Sequence, residues 1–380
     1  MDTTHRPAPH PSASARYVGR AVYIYAFDVA YEMKREPIGR LLGQTVANFR
    51  IDAGKRTPRQ PFFYRPQMIQ LPPEERIGPQ GPIRVERTVK LFHVGALSIA
   101  ASVPFAVNNL SELVAFHNLQ FSNGSLDQEV RELAEQVRAE LTPYCIRPVA
   151  ALAEGEAYTV FCLHSPLRGP GGGPVESETW LSDNRRQIAA LLTEEYDAEH
   201  LSAQEAEEST SLYLTYYEHD LAVVDWDAAL VADDPANFTE VLHFMELANV
   251  QLAELGAYDL LLDSALDRSY RDLKGVRFRW HREAIRGLRE IRLDMARLSD
   301  ELSNTTKFFG DWHLARLYQN LSQRFHLADW HRVIGEKLRA IDGLYEVLKH
   351  DQTNWWMIIL ESTIVLLFII DVILLLAGLT

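Results

Sequence analysis

The chain has 380 residues, 47% hydrophobic and 24% charged, enough to bury the cores of two or three ordinary domains. Its formal net charge of -14 excludes a wholesale nucleic-acid binder, because phosphate affinity comes from clustered Lys and Arg. Two cysteines, Cys145 and Cys162, make neither a C-x-x-C nor a zinc spacing, so no disulfide framework is expected, as in a reducing compartment.

The opening stretch 1–16, MDTTHRPAPHPSASAR, is rich in Pro, Ser and Ala and reads as a disordered tail. It lacks the apolar run of a secretory signal. From 17 to 234 the pattern is that of an α+β domain with a mostly antiparallel sheet. The segment 20–34 alternates Tyr23, Tyr25, Phe27, Val29 and Tyr31 on one side of a strand. A Pro-rich connector over 55–82 is expected to be irregular. The run 83–105 reads as a hairpin turning near Gly95, and helices are expected near 109–118 and 127–142. A strand at 156–163 precedes the loop 165–176. Its core, SPLRGPGGGP, lacks the Lys-Ser/Thr of a phosphate-binding loop. A helix near 179–194 and a strand pair over 211–233 complete the domain.

From 235 to 350 the pattern turns helical. Asn237 and Glu240 have capping-box spacing, and Phe238, Val241, Met245, Ala248, Leu252, Leu255 and Leu262 keep a heptad stripe. A second stripe runs through Ala284, Leu288, Ile291, Met295, Leu298 and Leu302. A third runs through Leu327, Trp330, Ile334, Ile341, Leu344 and Leu348. Such helices pack lengthwise, as a self-associating stalk. Within them, 268–297 carries ten Lys and Arg against four Asp and Glu. Arg279, Arg282, Arg286 and Arg289 lie along one side, either as a solvated outer face or as a docking strip for RNA phosphates or lipid headgroups.

The segment 355–379 is long enough, at roughly 37 Å as a helix, to cross a hydrocarbon core of about 30 Å. Trp355 and Trp356 stand at its entrance as interfacial aromatics do. Sixteen of its residues are Leu, Ile, Val or Phe, worth about -5 to -9 kcal/mol of insertion. Its two carboxylates, Glu361 and Asp371, cost at most about 3 kcal/mol each, so insertion wins. Glu361, Ile364, Phe368, Asp371 and Leu375 follow the spacing of a helical seam that a second copy would bury. The other reading has both acids reaching to opposite interfaces. With Lys349 on the near side, the expectation is a tail-anchored, single-pass protein whose bulk faces the cytoplasm, or the matrix in an organelle.

Chemistry is sparsely signalled. Asp225 and Asp227 in DWD, on one side of an extended chain, are a candidate pair of divalent-metal ligands or simply turn residues. In His326, Asp329 and His331, spaced three and five apart, the two histidines do not share a helix face, and no cofactor or nucleophile motif appears.

The stretch 298–374, from LSDELSNTTKFFGDWHLARLYQN to the apolar run, resembles the closing segment of the required-for-meiotic-nuclear-division family. Phe308, Phe309, Trp312, Leu314, Leu317 and Tyr318 match its Phe-Phe-Trp-like segment and Leu-x-x-Leu-Tyr helix. Leu338 and Leu348 fit its coiled helix, and Trp355, Trp356 and Glu361 fit its acidic membrane segment. Here the Trp pair precedes the Glu by several residues, a departure from the family order. The resemblance implies a single-span, non-enzymatic protein, since members have no established enzymatic activity and some are linked to organelle translation as membrane-attached oligomers. The expectation is therefore a scaffold that needs no cofactor and reads no specific DNA. It would hold a ribosome or another RNA-protein assembly at a membrane as a homo-oligomer. The alternatives are a metal-dependent enzyme built on Asp225 and Asp227, and an ion-conducting homo-oligomer using Glu361 and Asp371. The latter resembles magnesium channels only in outline, without their second span or Gly-Met-Asn signature.

Overall fold

The computed structural model describes residues 16–34, 36–49, 66–78, 81–122, 124–169, 172–274 and 312–376. Ten strands form one sheet: β1 (Tyr17–Asp28), β2 (Ala47–Asn48), β3 (Gln67–Gln70), β4 (Glu74–Gly78), β5 (Gly81–Leu91), β6 (Ala96–Val107), β7 (Glu156–His164), β8 (Tyr213–Leu214), β9 (Leu221–Val224) and β10 (Ala228–Asp233). Their order is β8-β9-β10-β7-β1-β6-β5-β3-β2, with β4 paired to β5. Every pairing is antiparallel except β7 with β10. The helices are α1 (Leu126–Leu141), α2 (Ser177–Leu192), α3 (Ala203–Ser209), α4 (Phe238–Lys274), α5 (Trp312–Arg324) and α6 (Leu327–Leu376), with a 3-10 turn at Leu110–Phe116.

The hairpin of β5 and β6 turns where expected. Gly95 holds φ +97°, and its carbonyl accepts from both Val29 and Ala30 N–H. A Cβ at Gly95 would sit 1.8 Å from the Ala30 oxygen, so only glycine fits. The Pro-rich connector departs from expectation, because 67–70 and 74–78 are strands on the β5 edge. The sequence looks irregular there because its prolines are concentrated, but Pro72 and Pro73 fall between strands and Pro82 lies opposite Ile77, one pair from the turn.

Strand β1 lies in the middle of the sheet and is buried from Ala21 to Phe27. Tyr23, Tyr25 and Phe27 join one core cluster with Val130 and Val137 of α1 and Trp180 and Ile188 of α2. The Tyr23 hydroxyl donates to the Phe116 carbonyl, tying the 3-10 turn to this face. Ala26 belongs to another cluster with Phe92, Ala96 and, from α4, Val250 and Ala253. Helices thus cover both faces of a mostly antiparallel sheet, a mixed α/β architecture.

By its internal contacts the chain divides into two units, Met1–Ala257 with Asn304–Ala328, and Tyr258–Ser303 with Asp329–Thr380. The expected stalk of 235–350 is shared between them. The first part of α4 belongs to the sheet unit, and there it is buried almost all round. Asn237, expected to cap this helix, gives its amide to Asp233. In the second unit Lys337 of α6 reaches Asp259 and Asp263, one turn apart on α4, at 2.6 Å each, while Leu262, Ile334 and Ile341 are buried. The second heptad stripe, Ala284 to Leu302, lies outside the described residues.

What fixes α4 to the sheet is a buried charge pair. Lys90 of β5 reaches Glu246 of α4, and both are almost completely enclosed. Ser98 of β6 donates to the other Glu246 oxygen at 3.1 Å, and His243 Nδ1 stands 3.8 Å from the carboxylate. The ammonium also lies 4.2 Å from the centre of the Phe49 ring. Burial alone would raise the Glu246 carboxyl, but Lys90 and His243 outweigh it and hold it below the usual range. A carboxyl depressed by folding contributes stability above its unfolded value near pH 4.5, lost as pH falls through the folded one. Glu246→Ala should cost about 3–5 kcal/mol in denaturant unfolding at pH 7, since it strands a buried ammonium. Lys90→Met combined with Glu246→Leu should recover most of that loss, and a double variant no more stable than Glu246→Ala would contradict this.

Candidate functional site

The last helix carries the features that set this chain apart from an ordinary globular protein. α6 runs unbroken for 50 residues, and its segment Trp355–Leu374 is 20 residues long with a mean hydropathy of 2.6. Among the described residues, none buries any of that segment. Phe368 is 71% exposed, and Ile364, Leu366 and Leu367 are exposed with it. At 1.5 Å per residue the segment spans about 30 Å, the thickness of a bilayer core. It is long and apolar enough to cross a membrane.

Two hydroxyls, of Ser362 and Thr363, and two carboxylates, of Glu361 and Asp371, interrupt it. Thr363 returns its hydroxyl to the Ile359 carbonyl at 2.8 Å, so its polarity is satisfied within the helix. Glu361 and Asp371 are exposed. Glu361 lies about 5 Å from the middle of the segment along the axis, and Asp371 about 10 Å on the other side. Each therefore costs less than the full midplane penalty of about 3 kcal/mol. Thirteen Leu, Ile, Val and Phe residues between Trp355 and Leu374 contribute about -4 to -8 kcal/mol in the opposite direction. Trp355 and Trp356 are exposed at the near end, and Leu375 continues the helix backbone beyond the segment. The basic residues Arg279, Arg282, Arg286 and Arg289 lie outside the described residues.

The candidate metal pair separates. Asp225 and Asp227 belong to a tight turn between β9 and β10, closed by the Asp225 N–H donating to the Ala228 carbonyl at 2.9 Å, and not to an extended chain. Asp225 is buried and faces the Arg324 guanidinium, with Nε at 3.3 Å, whereas Asp227 is exposed. Through Nη2, Arg324 donates to the Glu208 carbonyl at 2.7 Å and to Ser211 Oγ at 3.3 Å. The side chain that would have been a metal ligand is thus spent holding the end of α5 to the sheet. Among the described residues, no three His, Cys, Asp or Glu side chains gather as a metal site.

Sequence reasoning missed one further polar junction. His117 sends Nε2 to the Leu191 carbonyl at 2.5 Å and Nδ1 to Glu194 at 3.0 Å, joining the 3-10 turn to the end of α2. No motif announces it, because its partners lie more than 70 residues away.

Burial raises the Asp225 carboxyl, and Arg324 only partly offsets this. A carboxyl raised by folding is destabilising once it ionises, so its cost grows as pH rises through the unfolded value towards the folded one. Arg324→Met removes the offset. The variant should lose about 3 kcal/mol at pH 8 and clearly less at pH 4, read as Tm at both values. An equal loss at the two would show that packing rather than charge is at stake.

Residues 18–239 match the family model described as uncharacterized protein MJ0711, N-terminal domain. The match starts one residue into β1 and ends at the start of α4, so it takes in the whole sheet. Among curated proteins, the uncharacterized protein MJ0711 of Methanocaldococcus jannaschii is 25% identical over 256 residues, covering 66% of this chain and 74% of that protein. No solved structure matches the chain. By the extent of the first match, more than half its length, the chain belongs to the family of the MJ0711 N-terminal domain.

Proposed function

We propose that this protein is a non-enzymatic membrane scaffold, in which α6 anchors the chain and the sheet unit stays in the cytoplasm or its organellar equivalent. The observation that carries this reading is the 20-residue apolar segment with no part buried among the described residues. Exposed apolar patches on soluble monomers rarely exceed a few hundred Å², and a helix apolar on every side exceeds that. Lys349 just before the segment supports a cytoplasmic near side. The resemblance of 298–374 to the required-for-meiotic-nuclear-division family supports the same role. The tethered partner in this reading is a ribosome or another RNA-protein assembly, engaged through Arg279, Arg282, Arg286 and Arg289.

The two carboxylates favour self-association. Glu361, Ile364, Phe368, Asp371 and Leu375 form a seam, and a second copy packed on it would remove both acids from lipid. The metal-enzyme alternative loses support because Asp225 is committed to Arg324.

Single cysteines placed along 364–370, in a Cys145→Ala/Cys162→Ala background, test the seam in native membranes. Ile364→Cys and Phe368→Cys should form disulfide-linked dimers on oxidation, while Leu366→Cys and Ile370→Cys should not. Equal crosslinking at all four positions, or none at any, would contradict the seam.

A further inference from the structure

Three of the exposed aromatic residues of the sheet unit, Tyr216, Tyr217 and Trp312, stand together. Tyr216 and Tyr217 follow β8 at the edge of the sheet, and Trp312 opens α5 beside them. They are 45%, 72% and 53% exposed. The Tyr216 ring lies 4.6 Å from Tyr217 and 5.4 Å from Trp312, edge to face in both cases. The loop is held from within. The Asp220 carboxylate accepts the backbone N–H of Tyr216 at 2.6 Å and of Tyr217 at 3.0 Å, a brace that presents both rings outward. This is a fixed aromatic surface, and aromatic rings with a polar rim mark protein interfaces.

Charge selects the occupant. Glu178, which accepts from Thr215 at 3.3 Å, and Glu218 are exposed beside the rings, and Asp220 lies beneath them. Such a rim repels phosphates, which disfavours nucleic acid and anionic headgroups. It attracts cations, and ring faces reward them further. One such contact already exists, because the Arg316 guanidinium stands 4.3 Å from the centre of the Trp312 ring. A planar guanidinium stacks on rings and takes a carboxylate bidentately, which an ammonium cannot do. We propose that Tyr216, Tyr217 and Trp312 dock an arginine-bearing segment of a partner protein, with Glu178 and Glu218 pairing its charges.

This deepens the scaffold reading by naming a partner surface, and the two fail separately, since peptide binding in detergent does not require a bilayer. The test is fluorescence anisotropy of a labelled peptide alternating arginine with glycine or serine, titrated with the full chain in mild detergent. Lysine-for-arginine and glutamate-for-arginine versions and a single-stranded oligonucleotide serve as comparisons. The arginine peptide should bind at least several-fold more tightly than the lysine one, and the other two not at all. Tyr217→Ala with Trp312→Ala should weaken binding tenfold or more. Glu218→Lys, which leaves the rings in place, should weaken it several-fold, with circular dichroism checking the fold of each variant. Equal affinity for the arginine and lysine peptides, binding untouched by loss of the rings, or ring-dependent binding of the oligonucleotide would each overturn the proposal.

Discussion

A helix that shows Leu, Ile, Val and Phe on all its sides has no stable place in water. Each such side chain left exposed forgoes about 1.5–3 kcal/mol of burial. With thirteen of them between Trp355 and Leu374, the unfavourable exposure exceeds the whole stability of an ordinary domain. Among the described residues, none covers that segment. In the proposed anchoring a bilayer would cover it, as an apolar medium of matching thickness. The carboxylates at 361 and 371 then become the informative residues, because they are the costly groups that the medium does not want.

The sheet unit obeys the same rule on a smaller scale. His243, Glu246, Asn249, Gln251 and Glu254 are all buried on one helix, and each polar group taken from water needs an answering partner. Lys90 and Ser98 answer Glu246, and backbone carbonyls of Ile24 and Glu156 answer Asn249. Such partners are specific in position, so they fix where α4 lies on the sheet more narrowly than apolar packing would. Gly95 contributes in another way, by letting the strand ends approach closely enough to exchange backbone hydrogen bonds.

How much of this could be read beforehand follows from the range of each interaction. Period-two alternation gave the strands around Tyr23 and Val89, and a continuous apolar run gave the long exposed helix, since both signals are local. Strands β3 and β4 escaped because their pairing is supplied by β5, and prolines between them resembled a loop. The start of α4 read as a stalk because its apolar stripe is genuine. What buries its other faces is the sheet, more than a hundred residues away in sequence, and polar residues such as Glu246 resemble a solvated face until Lys90 is seen beside them. For Asp225 and Asp227 the sequence left open a shared metal or a turn, and the structure has the turn, which sends one to Arg324 and the other to solvent. The aromatic surface at Tyr216 was invisible because Trp312 comes from a distant part of the chain.

The most direct measurement is alkaline carbonate extraction of membranes from cells making the full chain, alongside a variant carrying Leu366→Arg and Leu367→Arg at the middle of the segment. The wild type should stay in the pellet, and the variant should move to the supernatant, because two arginines add about 6 kcal/mol to the insertion cost. Release of the wild type by carbonate would contradict the account at its base.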